Sequence, residues 1–389
     1  MKADVKIPRL AVAGIAYLVS LAATLAVVPP EGAWYEVVLP VLAEAALMLL
    51  FGPYLLVTGF ATGFLGEVAA WWGLLAAAPF YLAHVVFLAV LSHRTSLWRR
   101  LGRRGECARK SAVAFFALVS ALGVWYEIPE VTRYDIAVDG AKIPPGGLRF
   151  AVVSDLHSCR YGTGQCALIQ AIQAQKPDAV LLVGDIFDDV KPDTNTKTFL
   201  SAVAQDFPCF YVYGNHEYWS ERIWEMQDIL LAAGVTVVSG RVKTALIGGV
   251  AVDICGLDDP AGLGGEAWLA GLDEVAAHVA ASPRLKILLS HRSEYARAYA
   301  QYGFDLVVSG HLHGGQWRVP GLDIGVCGPK SGGPDSSARM FFARHMGGAY
   351  KLNRTTTQVV LRGLARESTP LPRFFNHPEF AVVNLVART

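Results

Sequence analysis

The feature that most constrains the fold is a series of short apolar runs, each followed, directly or after one glycine, by Asp, Asn or His. The runs cover residues 148–154, 179–183, 210–213, 285–290 and 306–309. Stretches with helical spacing lie among them, at residues 167–175, 223–233 and 268–280. Apolar runs of this length are typical of buried strands, and strands that alternate with helices indicate an α/β sheet.

The polar residues that follow these runs are of the types that bind divalent cations. They are Asp155, His157, Asp185, Asn215, His291, His311 and His313. Open α/β sheets place their sites at the carboxyl ends of their strands. We therefore expect all these side chains to converge at one edge of one sheet. Glycines precede Asp185, Asn215 and His311, and they predict sharp turns of the backbone.

The mixture of carboxylate, amide and imidazole groups indicates which metals would bind. It suits Mn²⁺, Fe or Zn²⁺ better than Ca²⁺ or Mg²⁺, which prefer shells made only of oxygen. One carboxylate can bridge two cations, and two cations about 3.5–4 Å apart promote in-line attack on a phosphate ester. The sequence therefore predicts a metal-dependent phosphoesterase with two divalent metal ions as cofactors.

The last part of the chain predicts a second layer of strands. Short β-like runs occur at residues 348–352, 358–361 and 380–385. A second sheet packed on the first would give a four-layer αββα sandwich over residues 148–389.

The first third of the chain has a different character. Its apolar runs, at residues 10–28, 37–57, 68–91 and 112–126, predict a membrane domain of about four transmembrane helices over residues 1–126. A cleaved signal peptide is the alternative for the first run, and a helix in the membrane interface for the last. Residues 127–147, rich in Pro and Gly, are interpreted as a linker.

Positive charge indicates the orientation in the membrane. The loop at residues 94–110 carries more Lys and Arg than the N-terminus does, which places this loop in the cytoplasm. With four spans, the catalytic domain then lies on the outer face of a plasma membrane; with three spans it lies inside. The net charge of +1 gives no reason to expect a nucleic-acid partner.

The cysteines do not predict a metal site. None of the six forms a Cys-x-x-Cys pair, so a zinc site made of thiolates is not expected. Cys159 and Cys166 flank a glycine turn near the first ligand pair. A disulfide between them is one alternative, and two thiols are the favoured one.

Five motif blocks resemble those of the calcineurin-like metallophosphoesterases. In chain order they are Asp155-x-His157, Gly184-Asp185, Gly214-Asn215-His216-Glu217, His291 and Gly310-His311-x-His313. Residues 290–294, 313–316 and 373–379 are similar to motifs of a bacterial membrane-associated subfamily, the YkuE-like phosphohydrolases. Position 293 is Ser where that subfamily usually has Pro.

The resemblance implies a role for each position. One metal would be held by Asp155, His157, Asp185 and His313, and the other by Asp185, Asn215, His291 and His311. Asp185 would bridge the two metals, and a hydroxide between them would attack phosphorus. His216 would be a catalytic residue and not a ligand, donating to the leaving oxygen. Candidates for orienting the ligand histidines are Asp188, Asp189 and Glu217.

These inferences predict a membrane-anchored phosphohydrolase. Its substrate would be a phosphodiester or a pyrophosphate, lipid-linked because the membrane domain keeps the site near lipid headgroups. One alternative is a phosphomonoesterase. Another is a membrane sensor or scaffold that retains metals without catalysis. Arg160 is a candidate for binding the phosphate group.

Overall fold

The computed structural model describes residues 128–316, 318, 346–366, 373 and 375–388. They belong to one compact unit, Gly123–Thr389. The membrane helices predicted for residues 1–126 lie outside the described residues. Within the described ranges, no helix is both long enough and apolar enough to cross a bilayer.

Strands make up most of the regular structure. They are β1 (Glu130–Val138), β2 (Leu148–Val153), β3 (Ala179–Val183), β4 (Cys209–Val212), β5 (Thr236–Val237), β6 (Val242–Ile247), β7 (Val250–Gly256), β8 (Leu285–Arg292), β9 (Leu306–Gly310), β10 (Gly348–Lys351), β11 (Thr357–Val360) and β12 (Glu379–Ala387).

Helices connect many of these strands. They are α1 (Cys166–Gln173), α2 (Thr194–Asp206), α3 (Asn215–Trp219), α4 (Ile223–Ala232), α5 (Pro260–Leu263), α6 (Gly265–Val279) and α7 (Ala296–Tyr299). Single turns of 3-10 helix occur at Gly140–Lys142, Thr163–Gln165, Ser293–Tyr295 and His313–Gly315.

The strands form two six-stranded mixed sheets. The first has the order β1-β12-β2-β3-β4-β5, and the second has the order β10-β11-β9-β8-β7-β6. In the first sheet, β2, β3, β4 and β5 run parallel, and β12 pairs antiparallel with β2. In the second sheet, β7, β8, β9 and β11 run parallel, whereas the hairpin partners β6 and β10 are antiparallel.

Alternation of apolar side chains along the strands builds the layers. Phe150 and Leu181 of the first sheet pack in one core with Ile287 and other residues of the second. Because successive side chains of a strand point to opposite faces, their neighbours form two outer cores. Val180 and Leu182 pack with residues of α1, α2 and α4, and Leu288 and Val307 pack with residues of α6 and α7. The order is helices, sheet, sheet, helices.

Two expectations about the strands were wrong in detail. The strands that precede the candidate ligands do not belong to one sheet: β2, β3 and β4 lie in the first sheet, and β8 and β9 lie in the second. The run at residues 380–385 forms β12, which lies in the first sheet beside β2. Periodicity shows that a run is a strand, but it carries no information about which strand pairs with it.

The segment interpreted as a linker is also different in the structure. Glu130–Val138 forms β1, which pairs in parallel with β12 along its whole length. β1 is an edge strand, and several of its side chains are exposed, so it lacks a continuous apolar run. Proline and glycine at residues 144–147 mark the turn into β2 and not a domain boundary.

Candidate metal centre

Strand ends from both sheets deliver the candidate ligands to one place. Asp155 and His157 follow β2, Asp185 follows β3, Asn215 begins α3 after β4, and His311 and His313 follow β9. His291 lies within β8, near the end of that strand and not beyond it. All seven side chains belong to buried residues.

The side chains form two groups. The ligand atoms of Asp155, His157 and His313 lie within 4.8 Å of one another, and the same holds for Asp185, His291 and His311. Asp185 Oδ2 lies 3.1 Å from His291 Nε2 and 3.7 Å from His157 Nε2. The carboxylate of Asp185 therefore stands between the two groups. The family resemblance implies a bridging role for this residue.

Contacts within the first group are equally short. His157 Nε2 is 3.2 Å from His313 Nε2, and His313 Nε2 is 3.3 Å from Asp155 Oδ1. Asn215 lies beside the second group, because the N–H of the next residue, His216, donates to Asp185 Oδ1 at 2.8 Å.

The donor atoms at this centre fit divalent cations. His291 Nε2 and Asn215 Oδ1 are buried and have no hydrogen-bond partner. A buried polar atom without a partner costs free energy, so such atoms indicate a group that is absent from the structure. His291 Nδ1 lies 2.9 Å from the carbonyl oxygen of Val183, which accepts its hydrogen and leaves Nε2 as the donor atom toward a cation.

The charges of the groups support the same fit. Burial favours the neutral form of Asp185, but the neighbouring His291 and His216 outweigh it and hold the pKa of the carboxyl well below its usual range. Burial and the Arg292 guanidinium lower the pKa of His311 well below its usual value, and burial lowers the pKa of His313 to about 4. The ionised carboxyl of Asp185 and the neutral rings of His311 and His313 are in the protonation states that bind metal. Burial opposes protonation of His291, but Asp185 outweighs it and raises the pKa of His291 to about 10, so a cation bound there would displace a proton.

The backbone at the ligands is strained. Asp155, His157, Asp185, His311 and His313 all have positive φ angles, between 48° and 74°. Residues with side chains avoid this region, and such strain is concentrated at functional sites.

The glycines act differently from the expectation. Gly184 does adopt a left-handed turn, with a φ of 75°. Gly214 has an extended conformation, φ −107° and ψ −168°, which any residue can adopt. A glycine is needed at position 214 because there is no room for a side chain: a Cβ there would lie 2.3 Å from Asp185 Oδ1. The same holds for Gly310, where a Cβ would lie 2.4 Å from Asp155 Oδ2.

His216 lies at the border of the centre. Its ring meets the ring of His157 edge-on, with centroids 4.3 Å apart, and its Nδ1 is 2.8 Å from Asp189 Oδ1. Burial opposes protonation of His216, but Asp185 and Asp189 outweigh it and raise the pKa to about 9. These carboxylates favour the protonated form of the ring, which has a proton to donate.

Of the acidic residues expected to orient ligand histidines, only Asp188 faces one. Asp188 Oδ2 is 3.5 Å from His157 Nδ1, whereas Asp189 pairs with His216. The carboxylate of Glu217 instead binds the backbone of two ligand loops. It accepts from the N–H groups of Asp185 at 2.9 Å, Phe187 at 3.0 Å and Gly214 at 2.7 Å, and from the Tyr211 hydroxyl at 2.6 Å.

Arg292 and Asp259 were missed by the sequence reasoning. Asp259 binds the Arg292 guanidinium through two hydrogen bonds of 2.7 and 2.9 Å, and Arg292 Nη1 donates to His311 Nε2 at 2.8 Å. The motif at residues 290–294 contains Arg292, but no local signal connects it to Asp259. Arg160, the candidate phosphate ligand, has an exposed side chain.

The cysteine question is resolved for this region. Cys159 and Cys166 are not joined by a disulfide. Cys159 is buried, and Lys191 Nζ lies 3.4 Å from its Sγ.

Comparison with known proteins identifies relatives of this chain by sequence. A sequence model of the family described as calcineurin-like phosphoesterase matches residues 148–315. A metallophosphoesterase of Aquifex aeolicus is 34% identical over 50% of this chain and 73% of its own length. YkuE of Bacillus subtilis, also a metallophosphoesterase, is 29% identical over 70% of this chain and 93% of its own length.

Two further relatives differ in the share of their own length that this chain matches. The phosphodiesterase YaeI of Escherichia coli is 28% identical over 50% of this chain and 70% of its own length. The metallophosphoesterase Cj0846 of Campylobacter jejuni is 31% identical over 52% of this chain, and the chain spans only about half of it, 53%.

Proposed function

Because the chain belongs to the calcineurin-like phosphoesterases, a family of metal-dependent hydrolases, we propose that it cleaves phosphodiester or pyrophosphate bonds with two divalent cations. The observation that carries this proposal is the pair of Asp/His groups with Asp185 between them and His216 alongside. Mn²⁺, Fe and Zn²⁺ are the candidate metals, since the donors mix oxygen and nitrogen.

The residues would divide between two cations. Asp155, His157 and His313 would hold one, and Asn215, His291 and His311 would hold the other, with Asp185 shared. When bound, the cations would lower the pKa of an attacking water and neutralise charge on the phosphoryl oxygens.

His216 would act as the general acid. Its protonated ring borders the centre, so it can donate a proton to the oxygen that leaves phosphorus. The carboxylate of Asp189 would keep the ring protonated and fix its orientation through Nδ1, which leaves Nε2 to face the substrate.

A diester substrate is favoured by one relative. YaeI is named a phosphodiesterase, and it matches half of this chain. A phosphomonoesterase and a metal-retaining sensor without catalysis remain the alternatives to be tested. The partly buried, protonated His216 supports catalysis, because a structural metal site has no need of a proton donor.

We also propose that residues 1–126 anchor the enzyme in a plasma membrane, with the catalytic unit on the outer face. The apolar runs of that segment and the Lys and Arg of residues 94–110 support this arrangement. A lipid-linked phosphoester or pyrophosphate is the substrate class that follows from it.

The test compares bis-p-nitrophenyl phosphate with p-nitrophenyl phosphate on the full-length chain and on His216→Ala. We expect the diester to be the better substrate, with kcat reduced about 10²- to 10⁴-fold in the variant while metal content is retained. Preferential monoester hydrolysis would replace the diesterase assignment. Two bound metals with no turnover of either ester would favour the sensor.

A further inference from the structure

Four large apolar side chains are exposed around His216. They are Trp224 at 76% exposure, Val190 at 65%, Trp219 at 57% and Leu263 at 45%. Exposed apolar residues scattered singly are ordinary, but a group of them around one site indicates a contact surface. We call this group the apolar rim.

Trp219 of the apolar rim contacts the catalytic histidine, and the other three members lie on segments next to it in the chain or in the fold. The Trp219 ring lies 4.9 Å from the ring of His216, and Val190 directly follows Asp189, the hydrogen-bond partner of His216. Leu263 ends α5, and a Cβ added at its neighbour Gly262 would lie 2.2 Å from the Tyr218 ring of α3. Trp224 lies in the first turn of α4, which follows α3 after a short turn.

The strand register of the first sheet shows that the described unit begins level with the candidate ligands. Thr132 of β1 is level with Ala381 of β12, and Ala381 is level with Val152 of β2. The start of β1 is thus level with the end of β2, where the ligands begin. Two strand spacings, roughly 10 Å, separate them. Ile128, just before β1, is 70% exposed, and the sequence before it, residues 112–126, is apolar.

Basic side chains come from loops at the same edge. Arg160 follows β2, Lys191 follows β3 and Arg366 follows β11. Lys191 lies against Cys159 Sγ, and the Arg366 guanidinium lies 5.1 Å above the Tyr161 ring.

We infer that the apolar rim docks onto an anionic lipid bilayer, so that the centre takes its phosphoester from the headgroup layer. Tryptophan has an apolar body with a polar N–H, which suits the boundary between acyl chains and headgroups. Basic side chains at the same edge complement anionic headgroups, and their aliphatic parts can lie along the apolar surface. This inference rests on the proposed function and names the surface from which the substrate is drawn.

The functional test uses two substrates on the full-length chain reconstituted in nanodiscs that contain phosphatidylglycerol. One is soluble bis-p-nitrophenyl phosphate, and the other is a long-chain alkyl p-nitrophenyl phosphate diester held in the bilayer. For Trp224→Ser we expect turnover of the bilayer diester to fall about tenfold, with soluble turnover within about twofold of wild type.

Leu246→Ser is the matched control. Leu246 is as exposed as Trp224, at 75%. It pairs with Ala251 near the start of β7, so it lies at the end of the strands that is opposite to the candidate ligands. Both turnovers should match wild type in this variant. Equal loss in Leu246→Ser and Trp224→Ser would overturn the inference.

A physical readout separates docking from catalysis. In nanodiscs with brominated lipids, the fluorescence contribution of Trp224, taken as the difference between wild type and Trp224→Phe, should be strongly quenched. No quenching, or no selective loss of bilayer-diester turnover in Trp224→Ser, would refute docking. If wild type cleaves neither substrate while Trp224 is quenched, the proposed function fails and the docking surface stands.

Discussion

Replacing Gly214 with alanine should disable the centre without unfolding the chain. The added Cβ would lie 2.3 Å from Asp185 Oδ1 and 2.7 Å from the Asp185 backbone nitrogen. Ordinary van der Waals contact begins near 3.4 Å, so the carboxylate or the β4 loop must move by about 1 Å. Overpacking of this kind costs about 1–3 kcal/mol of stability.

The effect on activity should be larger than the effect on stability. A displacement of about 1 Å in a catalytic group can reduce turnover about 10²-fold. Because Asp185 is the proposed bridge, we expect Gly214→Ala to lose diester turnover and to retain fewer than two metals per chain. Hydrolysis of bis-p-nitrophenyl phosphate and metal content, measured on the same preparation, give both results.

Gly265→Ala is the matched control, since a Cβ at Gly265 would meet nothing within 4 Å. It should match wild type in turnover and metal content. If Gly214→Ala also retained full turnover and two metals, the close approach of the β4 loop to Asp185 would have no functional meaning, and the reasoning about this glycine would be refuted.

Two further predictions concern neighbouring carboxylates. Glu217→Ala removes the acceptor for three buried backbone N–H groups and the Tyr211 hydroxyl. It should lower the free energy of unfolding by about 3–6 kcal/mol in urea titrations, whereas exposed Glu221→Ala should not. Asp189→Asn removes one cause of the raised pKa of His216, so the alkaline limb of the pH–kcat/KM profile should move from about pH 9 toward lower pH. An unchanged pH–kcat/KM profile would show that Asp189 does not raise the pKa of His216. Protonated His216 also contributes to the free energy of unfolding, and this contribution is fully present below pH 6.5 and is lost as pH rises through about 9. Asp189→Asn should reduce this contribution.

The sequence could predict the candidate ligands because each is tied to a local pattern. A short apolar run ending in Asp, Asn or His reports both the strand and the side chain at its end, and this needs no knowledge of the partner strand. The predicted bounds of β3 are those of the structure, and those of β2 and β9 differ by one residue.

The features that the sequence did not reveal depend on pairing between distant segments. β1 pairs with β12 across almost the whole catalytic unit, so nothing near residue 130 identifies it as part of the sheet. Arg292 and Asp259 are likewise distant in sequence. The role of Gly214 is invisible for the same reason, because the atom that excludes a side chain there belongs to Asp185 on another loop.

Glu217 shows how position in the sequence can suggest the wrong role for a residue. Its position beside His216 suggests that it orients a ligand histidine. In the structure, Glu217 faces inward and joins the loops after β3 and β4 through their backbone N–H groups. Helical spacing within α3 separates the two side chains, because His216 and Glu217 point in different directions.

The most direct test of the central claim is the metal content of the purified full-length chain and of Asp185→Ala, with diester hydrolysis measured alongside. The account predicts about two Mn, Fe or Zn ions per wild-type chain, and loss of turnover when a chelator removes them. Asp185→Ala should hold fewer than two ions and be inactive. Full diester turnover by metal-free protein, or by Asp185→Ala, would contradict a two-metal centre built around Asp185.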